Sequence, residues 1–367
     1  MKKALVAIRW IVGLLFIFSG LIKANDPSGL SYKMQEFFDV WGWHFMDDYT
    51  LIFSLIMNVS EVVAGIAVII GWRIPLFSWL LLLLIIFFSF LTGYALFSGK
   101  IKTCGCFGDC IPITAGQSFI KDIILLLFIL IIWLYRKKIK SNLPTFISIL
   151  IIMIAIGGTA YFQYFVLQNL PLKDCLPYAK GKNIKEQMLP PANAIPDSTV
   201  MVFMYEKNGV QSEYINDVPE EVMNDSTYIF IDRKDKIVRQ GNATPAITDL
   251  AFYTVDGVDT TEAILSEQQS IWMFVKSFEK FSVLPLDVSS LIKVCKEKNM
   301  PFYLVTPDKS GAVNLFGNRN DVHILIADAV VVKTAARATP TFFMVQNGTI
   351  VEKTALQGLQ DLVHQFQ

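Results

Sequence analysis

The chain has 367 residues, 53% of them hydrophobic and 17% charged, with a mean hydropathy of +0.46, too apolar for an ordinary soluble protein. Thirty-two basic and 32 acidic residues balance to no net charge, so there is no electrostatic footprint for nucleic acid. The long uncharged runs nearly all precede residue 168, and a stretch of globular composition, long enough for its own core, follows.

Five stretches, at about 4–22, 51–71, 74–97, 118–135 and 144–167, approach the roughly 20 apolar residues needed to cross a bilayer. The first ends in "SGLIKANDPSG", without a small-x-small cleavage pattern, and reads as a retained helix. Residues 28–50 place Leu30, Met34, Phe37, Phe38 and Trp41 at helical spacing, as expected of a helix lying in the membrane interface over the outer face. In the second span Asn58 and Glu61 share a helix face. A carboxylate at that depth turns toward a partner or a cavity. The expected role of Asn58 and Glu61 is to anchor a small redox cofactor or, in the structural alternative, to bond neighbouring helices; Lys23, Asn25 and Asp26 are the nearest partners.

Between the third and fourth spans "TCGCFGDC" holds three of the chain's five cysteines. Lys2, Lys3, Arg9, Arg73 and the run Arg136–Lys140 fall on one side if the spans alternate, and that side should be cytoplasmic. The cysteine loop and everything after residue 168 would then face the periplasm of a bacterial inner membrane, where disulfides persist. Cys104, Cys106 and Cys110 are the candidate exchanging thiols. Three cysteines cannot all pair within the loop, so one stays free, pairs with Cys175, or attacks a partner protein. A structural staple needs only two of them. A metal site would need about four ligands, and no histidine lies near Cys104, Cys106, Asp109 and Cys110, so no metal is expected.

After the fifth span a Pro-, Lys- and Asn-rich stretch reads as a linker over 169–198. From Thr199 strands alternate with helices, as in an α/β domain. Cys295 falls on the apolar face of one helix, as a buried small hydrophobe does.

The order strand 271–276, helix 288–299, strand 301–306, then "RATPTFFMVQNGTIVEK" resembles the thioredoxin fold, in which a cis proline opens a strand that leads to a Gly-containing hairpin. Thr339-Pro340 and Asn347-Gly348 match, but "KSFEKFSV" stands where that fold has Cys-x-x-Cys. The resemblance implies a docking surface at Thr339 and Pro340 for an extended peptide. "FSGLIKANDPSG", "SEVVAG" and "CGCFGD" resemble the DoxX and MauE families, four-helix membrane proteins tied to redox processes at the bacterial cytoplasmic membrane. "CGCFGD" looks like the MauE hallmark, which the resemblance associates with disulfide formation or maturation of exported proteins.

The expected organisation is a DoxX/MauE-like four-helix membrane bundle over 1–140, a fifth transmembrane helix over 141–168, the linker, and a soluble α/β region over 199–367 ending in a thioredoxin-like domain without Cys-x-x-Cys. The expected function is thiol–disulfide oxidoreductase work on exported proteins within the lipid membrane, with a quinone as acceptor by analogy. The alternative is a non-enzymatic anchor or assembly factor whose thioredoxin-like domain binds a periplasmic partner.

Overall fold

The computed structural model describes residues 2–101, 105, 107–111, 113–141, 143–239, 241–278 and 285–364. Cys104 and Cys106 lie outside the described residues, as does most of the stretch expected to replace Cys-x-x-Cys. Two compact units are present, one of residues 1–181 with 251–367 and one of 182–250.

The first unit begins with α1 (Lys2–Asn25), α2 (Pro27–Trp41), α3 (Thr50–Ile70), α4 (Ile74–Ser98), α5 (Ala115–Leu134) and α6 (Thr145–Gln168). All but α2 are long and apolar enough to cross a membrane. Asp26 ends α1 and caps α2, its side chain accepting from the Gly29 amide at 2.9 Å with Pro27 at the first helical position. α1 and α3 meet backbone to backbone: a Cβ on Gly65 would fall 2.6 Å from the Gly13 carbonyl oxygen. Small residues permit such an approach between helices in lipid, where the hydrophobic effect does not drive helix association.

Polar side chains inside the bundle meet one another. Lys23 of α1 is ion-paired with Glu61 of α3, both fully enclosed. Asn58 donates to Gln163 of α6 at 3.0 Å, so the two polar residues of one α3 face bind different helices. Thr92 of α4 donates to Asp122 of α5 at 3.1 Å, and Lys121 lies 2.8 Å from the same carboxylate. Arg9 donates to the Val68 and Ile69 carbonyls at 2.9 and 2.8 Å, satisfying the free end of α3.

In the second unit β1 (Ser198–Lys207), β2 (Val210–Ile215) and β3 (Ile229–Arg239) form an antiparallel sheet in the order β2-β1-β3. The rest of the first unit is an α/β domain. Its strands β4 (Tyr253–Thr254), β5 (Ser270–Phe274), β6 (Phe302–Thr306), β7 (His323–Ile326), β8 (Thr341–Gln346) and β9 (Thr349–Ala355) lie in the order β4-β7-β6-β5-β8-β9. β5, β6 and β7 are parallel, and β8 and β9 antiparallel. Every residue of β5 is buried, because both sheet faces are covered. On one face Ile271 and Met273 pack into the cluster that holds Leu291, Ile292 and Cys295 of the helix Leu286–Glu297. On the other, Trp272 packs edge-on to Phe252, with ring centroids 5.1 Å apart. The Thr339–Pro340 bond before β8 is cis. A central parallel pair joined by a helix, with a cis proline opening the antiparallel strand beside it, is the thioredoxin arrangement. Burial pushes the Cys295 thiol up to about 12, which leaves it inert.

The Lys23–Glu61 pair should be structural in its energetics. Replacing Glu61 by Ala strands a buried ammonium and should lower stability by about 3 kcal/mol, while K23M with E61L should recover most of the loss. Thermal unfolding of the purified chain in detergent distinguishes the two, and equal losses would contradict this account.

Candidate functional site

The α1–α2 junction, the cysteine loop and the cis-proline end of the thioredoxin-like domain meet in one charged cluster. Arg337, only 7% exposed and two residues before Thr339, donates from Nε to Asp26 Oδ2 at 2.8 Å and from Nη2 to Asp109 Oδ2 at 3.1 Å. Its Nη1 donates to the Lys333 carbonyl at 3.0 Å. Asp26 thus caps α2 with one oxygen and binds the guanidinium with the other. Tyr32 of α2 lies beneath three cations, with Arg337, Lys276 and Lys333 all 5.3–5.6 Å from its ring centroid.

Lys276 opens the stretch that replaces the thiol pair of thioredoxins. Its ammonium donates to Tyr32 Oη and to the Arg337 carbonyl, both at 2.9 Å. Burial, reinforced by Arg337 and Lys333 and opposed by Asp26, brings its pKa from 10.5 down to about 7.

Of the pairings open to Cys110, the structure forms Cys110–Cys175, with Cα atoms 4.9 Å apart. Each half-cystine follows an aspartate held by a cation of the thioredoxin-like domain: Asp109 by Arg337, and Asp174 by Lys353 at 2.5 Å. Lys353 also donates to the Tyr178 carbonyl at 3.1 Å. Asn25 and the Lys173 backbone exchange two hydrogen bonds, of 2.9 and 3.2 Å. The disulfide therefore joins the cysteine loop to the segment leaving α6, and ion pairs hold both beside the cis-proline end.

Within the cysteine loop, Gly105 and Phe107 contact the membrane domain. The Gly108 amide donates to the Gly105 carbonyl at 2.9 Å. Gly105, at φ +66°, lies so close that a Cβ would be 3.1 Å from Lys33 Cγ. Phe107 packs on Phe18 and under Lys121, and it shares with Ser19, Glu61, Lys121 and Asp122 a cavity of about 20 Å³. That is room for a water, not for a ring system. A groove of about 740 Å³ lies instead along α2, α3 and α4, lined by Phe38, Trp41, Met57, Ser60, Phe87 and Phe90 among others.

Thr339 is exposed and Pro340 buried. Tyr32, Lys276 and Arg337 were not singled out from sequence, and Asp109 was weighed only as a metal ligand; the available signal was Arg337, a lone charge among alanines beside Thr339-Pro340. His44 Nδ1 lies 3.2 Å from Asp39 in the last turn of α2 and 3.8 Å from the half-buried Asp47.

Because the Lys276 pKa is lower in the closed cluster than in water, the open or unfolded chain binds more protons between about pH 7 and 10.5. Closure is therefore favoured as pH rises through that window, and its Lys276 contribution is least below pH 7. Melting temperature should rise from pH 7 to 9, and K276M should flatten that rise; an unchanged slope would contradict the assignment.

Residues 1–135 match the family MauE, described as methylamine utilisation protein, and residues 199–240 match a domain of unknown function, DUF8463. No curated protein matches the chain. A solved structure of BsSco, a member of the Sco family of cytochrome c oxidase assembly proteins in which a disulfide switch was identified, is 10% identical. The match covers 33% of this chain and 90% of that one, with a TM-score of 0.26. The first third of the chain is thus similar to MauE, as a multi-pass membrane domain, and a thioredoxin-like α/β domain follows it.

Proposed function

We propose that this chain is a thiol–disulfide redox protein of the bacterial inner membrane that acts on exported proteins. Its N-terminus lies in the cytoplasm, and its cysteine loop and α/β region lie in the periplasm. The charge bias of the span ends supports that orientation, and a disulfide at the outer end suits an oxidising compartment. The observation that carries the reading is the Cys110–Cys175 bond. It removes Cys110 from the odd set of three and leaves Cys104 and Cys106, one glycine apart, as the exchanging pair.

In the proposed step a substrate thiolate attacks the Cys104–Cys106 disulfide and forms a mixed disulfide, releasing one loop thiolate. The substrate's second thiolate resolves it, so the substrate gains a disulfide and the loop becomes a dithiol. Reoxidation of the loop releases two electrons and two protons. A quinone supplies an acceptor for both when bound. The aromatic groove on α2, α3 and α4 fits such a ring by size and lining, and the cavity beside Glu61 does not. On this reading Glu61 and Asn58 position α3, whose Met57 and Ser60 line the groove.

A second reading has its own support. Arg337 and Lys276 tie the cis-proline end to α2, which suits a fixed platform that presents the Thr339–Pro340 edge to a periplasmic protein without redox turnover. Acid-quenched alkylation of cells carrying C104S or C106S separates the two. The redox reading predicts mixed disulfides with exported proteins in at least one single variant and none in the double. No adduct in either, with the native loop oxidised and inert to mild reductant, would leave the platform.

A further inference from the structure

The β2-β1-β3 sheet ends on β3, an 11-residue strand whose partner in the sheet is β1. Ten of its residues are exposed and Asp232 is half-buried. A three-stranded sheet that leaves Ile229, Phe230, Ile231, Ile237 and Val238 in water is thin for independent stability, and a long edge invites another strand. The charges on β3 say which strand fits.

We propose that two copies of this chain join edge to edge through β3, antiparallel about a two-fold axis at Lys234, to make one six-stranded sheet. The strand reads Ile229-Phe-Ile-Asp-Arg-Lys-Asp-Lys-Ile-Val-Arg239, a palindrome of complementary charge. With Lys234 on the axis, Asp232 faces Lys236 of the other copy and Arg233 faces Asp235, each twice by symmetry. Ile231 and Val238, which the ladder to β1 skips, bound this matched charged centre. Opposite charges set directly across an antiparallel ladder stabilise it. Neighbouring registers do worse: an axis at Arg233 sets Ile231 against Asp235, and one at Asp235 sets Lys234 against Lys236. The cost is Lys234 facing its own copy, with Asp232 of the other copy diagonal to it.

The ladder to β1 is regular from Asp232 to Ile237, so the charged centre of β3 is straight where the pairing needs it. In the single chain Arg233 lies 3.6 Å from Asp235, and Lys234 lies 3.3 Å from Asp232. These are exposed pairs within one strand, contributing little where they are and free to exchange for partners across the axis. The inference is independent of the redox reading, since β3 carries no cysteine.

The test uses the full chain in membranes. A cysteine on the axis faces its own copy within disulfide reach. K234C should therefore give about ten times more disulfide-linked dimer than E213C, on the opposite sheet edge, or than the unchanged chain. Adding D235K, which sets like charges across the axis, should lower that yield by about tenfold, and R233E with D235K, which restores opposite charges, should recover it. Linkage of K234C no stronger than that of E213C, or equal yields from the single and the swapped charge variants, would overturn the proposal.

Discussion

Arg337 is the contact on which the placement of the candidate site depends. A guanidinium taken out of water needs its donors filled by acceptors of matching geometry, and here two of them bind carboxylates from opposite parts of the membrane domain. One belongs to Asp26, at the break between α1 and α2; the other belongs to Asp109, in the cysteine loop. The same arginine sits just before the cis proline, so filling its donors also fixes that end of the thioredoxin-like domain on the helix ends. Asp174 and Lys353 repeat the device on the far side of the disulfide. Two Asp-Cys dipeptides are thereby held in register, each cysteine bonded to the other and each aspartate to a cation.

This arrangement changes what the missing Cys-x-x-Cys means. Lys276 occupies the start of that stretch and is itself a bond to α2. The end of the fold that exchanges thiols in thioredoxins is used here as a contact surface, and the Cys110–Cys175 disulfide lies beside that contact. On the proposed reading the thioredoxin-like domain positions the loop, and the loop does the chemistry.

The parts that could be read from sequence are those written locally. Hydropathy runs set the five long helices, the polar break at Lys23 to Asp26 put a partner within reach of Glu61, and the resemblance to thioredoxins implied the cis proline at Thr339-Pro340. The helix Pro27–Trp41 was legible from apolar spacing within 28–50, but its end at Gly42, before a separate turn at His44–Tyr49, was not. The Arg337 triad was not, because its partners are 311 and 228 positions away and no periodicity connects them. Nor was the choice between Cys175 and the loop cysteines as partner of Cys110, which depends on where the segment after α6 turns. Glu61 shows a subtler limit: its depth predicts a partner or a cavity, and only the fold decides in favour of Lys23.

The central claim is that Cys110 is withdrawn from exchange by Cys175, leaving Cys104 and Cys106 as a pair. Peptide mapping of the alkylated, non-reduced chain by mass spectrometry tests it most directly. The account predicts a cross-linked peptide joining Cys110 to Cys175, with Cys104 and Cys106 becoming labelled together after mild reduction while that cross-link survives. A cross-link from Cys110 to Cys104 or Cys106, with Cys175 free to be alkylated, would contradict it.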